Sequence, residues 1–92
     1  MDTTTIAKTT RTMRGIELFR ERGDEITRTT GGTYHVPSCT GDGHYVVYLG
    51  EITCCSCPDH RAARKAGEFC KHIVAAGIAA AKRRAARRRL AV

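Results

Sequence analysis

Cys55-Ser56-Cys57 and Cys70-Lys71-His72 are two pairs of soft ligands. Each pair has one residue between its members, and twelve residues separate the pairs. Three thiolates and one imidazole make a closed tetrahedral set of the kind that structural zinc takes up, so the expected cofactor is one Zn²⁺ per chain. The spacing also constrains the backbone that carries these residues. In a strand, residues i and i+2 face the same side, so Cys55 and Cys57 can grip one ion from a strand end. In a helix, i and i+2 lie about 200° apart, so Cys70 and His72 cannot both ligate from a helix interior. They belong where a loop enters a helix, and the apolar run from Ile73 onward supplies that helix. Two neighbours compete for places in the set. Cys54 forms C-x-x-C with Cys57, an arrangement that would turn Cys55 away. Strand alternation instead points Cys54 away from Cys55 and Cys57, as a small core residue. His60 is the third residue after Cys57 and could replace His72, or lie partly exposed on the first turn of a short helix.

The elements that must position these residues follow from turn residues and periodicity. Met13, Ile16 and Phe19 recur every third residue within Arg11 to Arg22, with Leu18 alongside, which predicts an amphipathic helix stopped by Gly23. Ile26 to Thr30 and Thr33 to Val36 read as strands joined by Gly31-Gly32, a two-residue hairpin signal. Pro37 ends the second strand. The turn Gly41-Asp42-Gly43 leads into a third strand from His44 to Leu49, and Gly50-Glu51 turns the chain back through Ile52 to Cys54. Pro58 and Gly67 bracket a short helix from Asp59 to Ala66. The last helix runs from His72 to at least Ala81, with Ile73, Val74, Gly77, Ile78 and Ala81 as its buried stripe and Gly77 allowing close approach to the sheet. Met1 to Thr10 holds five threonines and no periodicity, and is expected to be disordered. The fold class is therefore α+β: a small antiparallel meander with a ββα zinc knuckle and flanking helices.

The stretch from Ile52 to Ala75, ITCCSCPDHRAARKAGEFCKHIVA, resembles a SWIM zinc finger, whose pattern is C-x-C, a variable spacer and C-x-H. Upstream, Tyr34-His35-Val36-Pro37-Ser38 and Gly41 to Leu49 resemble the strand pair that leads into this motif in many family members. The likeness spans roughly Ile16 to Ala80, and its specificity lies in the motif. It implies a ββα zinc module that binds nucleic acid or protein, as found in transposases and chromatin-associated ATPases. The ligands it implies are Cys55, Cys57, Cys70 and His72. The sequence departs from the family pattern at Cys54, an additional cysteine, and at His60, where an aromatic residue is more usual.

Ninety-two residues with two Phe, three Tyr and no Trp make one small domain with little core to spare. A structural metal is one remedy for so small a scaffold. Five cysteines is an odd number, and the N-terminus is Thr-rich rather than basic then apolar, so the expected setting is cytoplasmic and reducing, without a disulfide framework. No apolar run approaches the ~20 residues of a membrane span. Of the net charge of +7, six positive charges lie within Lys82 to Arg89, a segment with no acid. This divides the chain into a zinc-binding domain over residues 11–81 and a basic tail over 82–92, expected to fray because its charges surround the helical wheel.

Lys82, Arg83, Arg84, Arg87, Arg88 and Arg89 are the candidate nucleic-acid contacts. Interleaved aromatics for base stacking are lacking, which argues for binding with little sequence preference. Lys71, Arg64 and Lys65 would either contact nucleic acid or simply offset the formal −1 of three thiolates on Zn²⁺. A rival reading is a protein-interaction adaptor whose tail only solubilises or localises it. His35, His44 and Cys39 read as ordinary side chains, the histidines half-buried and the cysteine a plain loop thiol. Four protein ligands leave no open position for a catalytic water. No Ser-His-Asp set, phosphate-binding glycine loop or carboxylate pair accompanies them, so neither enzyme activity nor a small-molecule substrate is expected.

Overall fold

Four short strands form a meander, β1 (Thr27–Arg28), β2 (Thr33–Pro37), β3 (His44–Tyr48) and β4 (Cys54–Cys55), paired antiparallel in the order β1-β2-β3-β4. They belong to a computed structural model that describes residues 10–39 and 41–91. Three α-helices complete the α+β architecture: α1 (Thr10–Arg22), α2 (His60–Lys65) and α3 (Lys71–Ala91). A 3₁₀ turn over Gly23–Glu25 links α1 to the sheet.

Alternation sorts the sheet into two faces. Tyr34, Val36, Val47 and Cys55 are buried on the face toward α3, while Val46, Tyr48 and Cys54 are exposed on the other. The register Tyr34↔Val47↔Cys55 sets the inner residues in one row, which ends at Cys55. The β1–β2 connection differs from a plain two-residue hairpin. Thr33 N–H donates to Thr30 O and Thr33 O accepts from Thr29 N–H, so two residues oppose one and the strand bulges. Gly31 takes φ +65° in this turn. Gly32 O accepts from Leu49 N–H at 2.8 Å, and a Cβ on Gly32 would collide with Leu49 O. The expected tight turn at Gly50-Glu51 is a longer connection, Leu49 to Thr53, because Tyr48 pairs with Cys54.

Packing of α1 against α3 corrects both predicted helix faces. In α1 the buried residues are Gly15 and Leu18, and Met13 is half exposed to solvent at 51%. A three-residue recurrence drifts by about 60° per step on a 3.6-residue helix, so Met13 and Phe19 cannot share one narrow face. In α3 the buried residues are His72, Ile73, Ala75, Ala76 and Ala80, whereas Ala81 is exposed. The close approach falls at Gly15 rather than Gly77: a Cβ at Gly15 would lie 2.4 Å from Val74 Cβ and 2.8 Å from Lys71 O, while one at Gly77 would meet nothing within 4 Å.

Opposite effects are therefore expected at the two glycines. Gly15→Val should destabilise the metal-loaded protein by about 2–3 kcal/mol, because overpacking at a helix seam is not relieved by a flexible neighbour. Gly77→Ala should stabilise by about 0.5–1 kcal/mol, by removing glycine's backbone freedom from a helix interior. Urea titration of both variants measures the sign. Equal signs would mean that the seam is not where the structure puts it.

Two further expectations change at the ends. Thr10, expected in a disordered segment, is the first residue of α1, and residues 1–9 lie outside the described residues. The basic segment does not fray: α3 runs unbroken through residue 82 to Ala91. Ala, Arg and Lys are strong helix formers, and extending an anchored helix carries no nucleation penalty. Positive charge also suits the C-terminal end of a helix dipole. Among the described residues, no helix is long and apolar enough to cross a membrane.

Candidate metal centre

Each candidate ligand is delivered by a backbone event visible in the hydrogen bonding. Cys55 ends β4, and Ser56 prolongs the strand by donating its N–H to Val46 O and accepting Val46 N–H at its hydroxyl. This carries Cys57 onto the same side as Cys55. The chain then turns into α2, which Asp59 precedes as the N-cap residue. Gly67, at φ +74°, ends α2: its N–H donates to Arg64 O and the N–H of Glu68 to Ala63 O, the paired bonds of a Schellman motif. That stop reverses the chain toward Cys70, whose carbonyl accepts Val74 N–H as the first hydrogen bond of α3. Cys70 is thus the cap of the helix and His72 lies in its first turn, which is how an i, i+2 pair can converge.

The four side chains do converge. The ligand atoms of Cys55, Cys57, Cys70 and His72 lie within 4.8 Å of one another, and all four residues are buried. Sulfurs bound to a tetrahedral ion at ~2.3 Å stand about 3.8 Å apart, so the cluster is of the right size. Cys57 N–H points at Cys55 Sγ, at 3.5 Å. His72 packs its ring against Tyr45, centroids 4.6 Å apart, yet neither of its ring nitrogens has a hydrogen-bond partner. A buried polar atom without a partner is costly, and a cation at the cluster would satisfy one of the two.

Charge argues in the same direction. Hydrogen bonding from Cys55 pulls the Cys70 thiol down to about 3. The same contact pushes Cys55 far above the ordinary thiol range, and burial with the neighbouring Cys70 charge pushes Cys57 up. Ionising all three thiols side by side would set three negative charges against one another. A bound divalent cation is what permits all three to ionise together.

A feature without any signal in the sequence holds this loop in place. Arg11 of α1 donates from Nε to Asp59 Oδ2 at 2.7 Å, from Nη2 to Asp59 Oδ1 at 3.1 Å and from Nη1 to Glu68 Oε1 at 2.8 Å. It thereby clamps both flanks of α2, between the two ligand pairs. Its guanidinium holds the Asp59 carboxyl below the ordinary value of 3.8. The clamp's contribution is therefore present above that pH and lost only as acid protonates Asp59.

The competing residues lie elsewhere. Cys54 points away from the cluster as alternation requires, but onto the exposed outer face of the sheet rather than into the core. His60 is the first residue of α2 and is half-buried outside the cluster. His35 is half-buried, whereas His44 and Cys39 are exposed. Arg64 and Lys65 are exposed on α2, and Lys71 is half-buried between two candidate ligands. Lys82, Arg83, Arg84, Arg87, Arg88 and Arg89 are all exposed on the α3 extension, with Lys82 Nζ 5.7 Å from the Phe19 ring centroid.

Fold and cluster together define a small α+β protein with a buried Cys₃His set able to hold one metal ion. Comparison of the chain with protein-family models, curated proteins and solved structures finds no match.

Proposed function

We propose that the cluster holds one structural Zn²⁺ and that the chain is a SWIM-like module which binds nucleic acid, DNA foremost, through its basic helix. The Cys₃His donor set suits zinc among the common metals, since soft thiolates and imidazole in a tetrahedral array disfavour Mg²⁺ and Ca²⁺. With four protein ligands the ion has no open position, so its role is to join the end of β4 to the start of α3 rather than to activate water. A non-enzymatic binding role in a reducing compartment fits this arrangement.

The observation that carries the nucleic-acid reading is the continuity of α3. Its first turn supplies His72 and its second half displays Lys82, Arg83, Arg84, Arg87, Arg88 and Arg89, so six cations are mounted on a structured helix. Such a rod offers phosphates a preordered partner and avoids part of the ordering penalty of a disordered arm. Titrating a labelled DNA duplex with the intact protein, and with a variant carrying glutamine at all six positions, tests it. Binding by the former, and much weaker binding with little salt dependence by the latter, is the expected result.

A protein-adaptor role has one observation in its favour. Val46 and Tyr48 are 42% and 43% exposed on the outer sheet face, and Ile52 and Phe69 are more exposed still. Exposed apolar groups of this kind mark contact surfaces when they cluster. If DNA and RNA both fail to bind at low salt, this surface becomes the working one.

A further inference from the structure

The basic residues of α3 are not equivalent, and the structure sorts them by face. At 100° per residue, Arg83, Arg84 and Arg87 fall within about 60° of Ala80, on the stripe that buries Ala76 and Ala80. Lys82 and Arg89 fall on the far side of the helix. Beyond Ala80 the inward stripe of α3 therefore changes from alanine to arginine. Arg28 meets it from β1. Its cross-strand partner is the buried Tyr34, and paired residues share a face, so Arg28 projects to the helix side of the sheet.

Arg28, Arg83, Arg84 and Arg87 together wall a cavity of about 230 Å³, with the Gly31-Gly32 turn at its rim and Tyr34 and Ala80 among its lining. No acidic side chain lines it. Among the described residues, none of the four arginines forms an ion pair. Four arginines lining one cavity without an acidic neighbour make it electropositive, and an anion with several acceptor oxygens suits it. Guanidinium forks match phosphate geometry in particular. The cavity is smaller than the ~300–1,000 Å³ of a typical small-molecule site, so it fits one group of an extended ligand. A Cβ on Gly31 would meet nothing within 4 Å, so this part of the rim is open to an approaching backbone.

We infer that this groove seats the phosphodiester backbone of a nucleic acid, gripped from one side by Arg83, Arg84 and Arg87 and from the other by Arg28 of the hairpin. This rests on the nucleic-acid reading above and adds to it a contact outside the tail and a division within it.

The test uses the full chain, metal-loaded, in fluorescence-anisotropy titrations of a labelled DNA duplex over a salt series. Three variants are compared: R28Q, the groove-face triple R83Q/R84Q/R87Q and, as the far-face triple, K82Q/R88Q/R89Q, of which Arg88 sits at the flank about 80° from Ala80 and does not line the groove. The two triples remove the same charge, and circular dichroism with metal content confirms that each variant is folded. Each phosphate contact contributes about 0.9 to the log–log salt slope. R28Q should flatten the slope by about 0.9 and the groove-face triple by about 2.7, with a distinctly smaller change for the far-face triple. If R28Q leaves the slope unaltered and the two triples behave alike, the groove assignment is overturned while tail-mediated binding stands. Absence of binding by the unmodified chain at low salt overturns both.

Discussion

Removal of the metal with a strong chelator will abolish cooperative thermal unfolding, and Cys57→Ser and Cys70→Ser will do the same. Apparent zinc-binding energies in finger peptides are roughly 10–16 kcal/mol. A core whose largest fully buried side chains, among the described residues, are Val36, Val47, Pro37 and Cys70 supplies far less, a few kcal/mol for a domain of this size. Two of the four candidate ligands come from one end of the sheet and two from the start of α3, so losing the ion disconnects sheet from helix. Native compared with denaturing mass spectrometry should show the loss of one zinc per chain, and circular dichroism should show the lost transition. Cys54→Ser and Cys39→Ser, both at exposed positions, should keep the zinc and the transition. A chelated protein that melts cooperatively at its original temperature would refute the structural role. Zinc lost from Cys54→Ser but retained by Cys55→Ser would show that the wrong member of the pair had been assigned.

DNA affinity should fall by up to about 10³-fold between 50 and 200 mM salt. Six cations that each displace a counterion give a log–log slope of at most about −5, and a fourfold rise in salt raised to that power yields the drop. Glutamine at all six α3 positions preserves helix propensity and should remove most of the slope, because the rest of the chain carries +1. Sequence preference should be slight, since base-stacking aromatics are not interleaved with the cations. Binding that is insensitive to salt would refute a phosphate-based mechanism even if the affinity were high.

The clustering of three cysteines with His72 and the α+β plan are legible in the sequence because both are written in short-range signals. Cys55 and Cys57, like Cys70 and His72, are two residues apart, and Gly67 and the Gly31-Gly32 turn punctuate the chain at the positions where backbone with positive φ appears. The helix faces were not legible. Which side of α1 is buried depends on where α3 crosses it, and that crossing is selected by the bare Cα of Gly15 against Val74, a pairing between residues far apart in the chain. Arg11 was silent for the same reason, its partners Asp59 and Glu68 lying 48 and 57 positions away. The basic segment is helical rather than frayed because helix propensity, and not burial alone, decides it. Residues 82–91 need no core face when strong helix formers extend a helix that is already anchored.

An unbroken α3 makes the protein a lever. Its short arm is the first turn, pinned by Cys70 and His72, and its fulcrum is the crossing at Gly15 and Val74. Arg87 rides about 20 Å along the axis from Val74 at 1.5 Å per residue, so a tilt of only 10° about the fulcrum displaces it by about 3 Å. That is more than the reach tolerance of a single hydrogen bond. The aperture between Arg28 and the arginines of α3 is consequently set at the opposite end of the rod, by how firmly one short turn of helix is fastened.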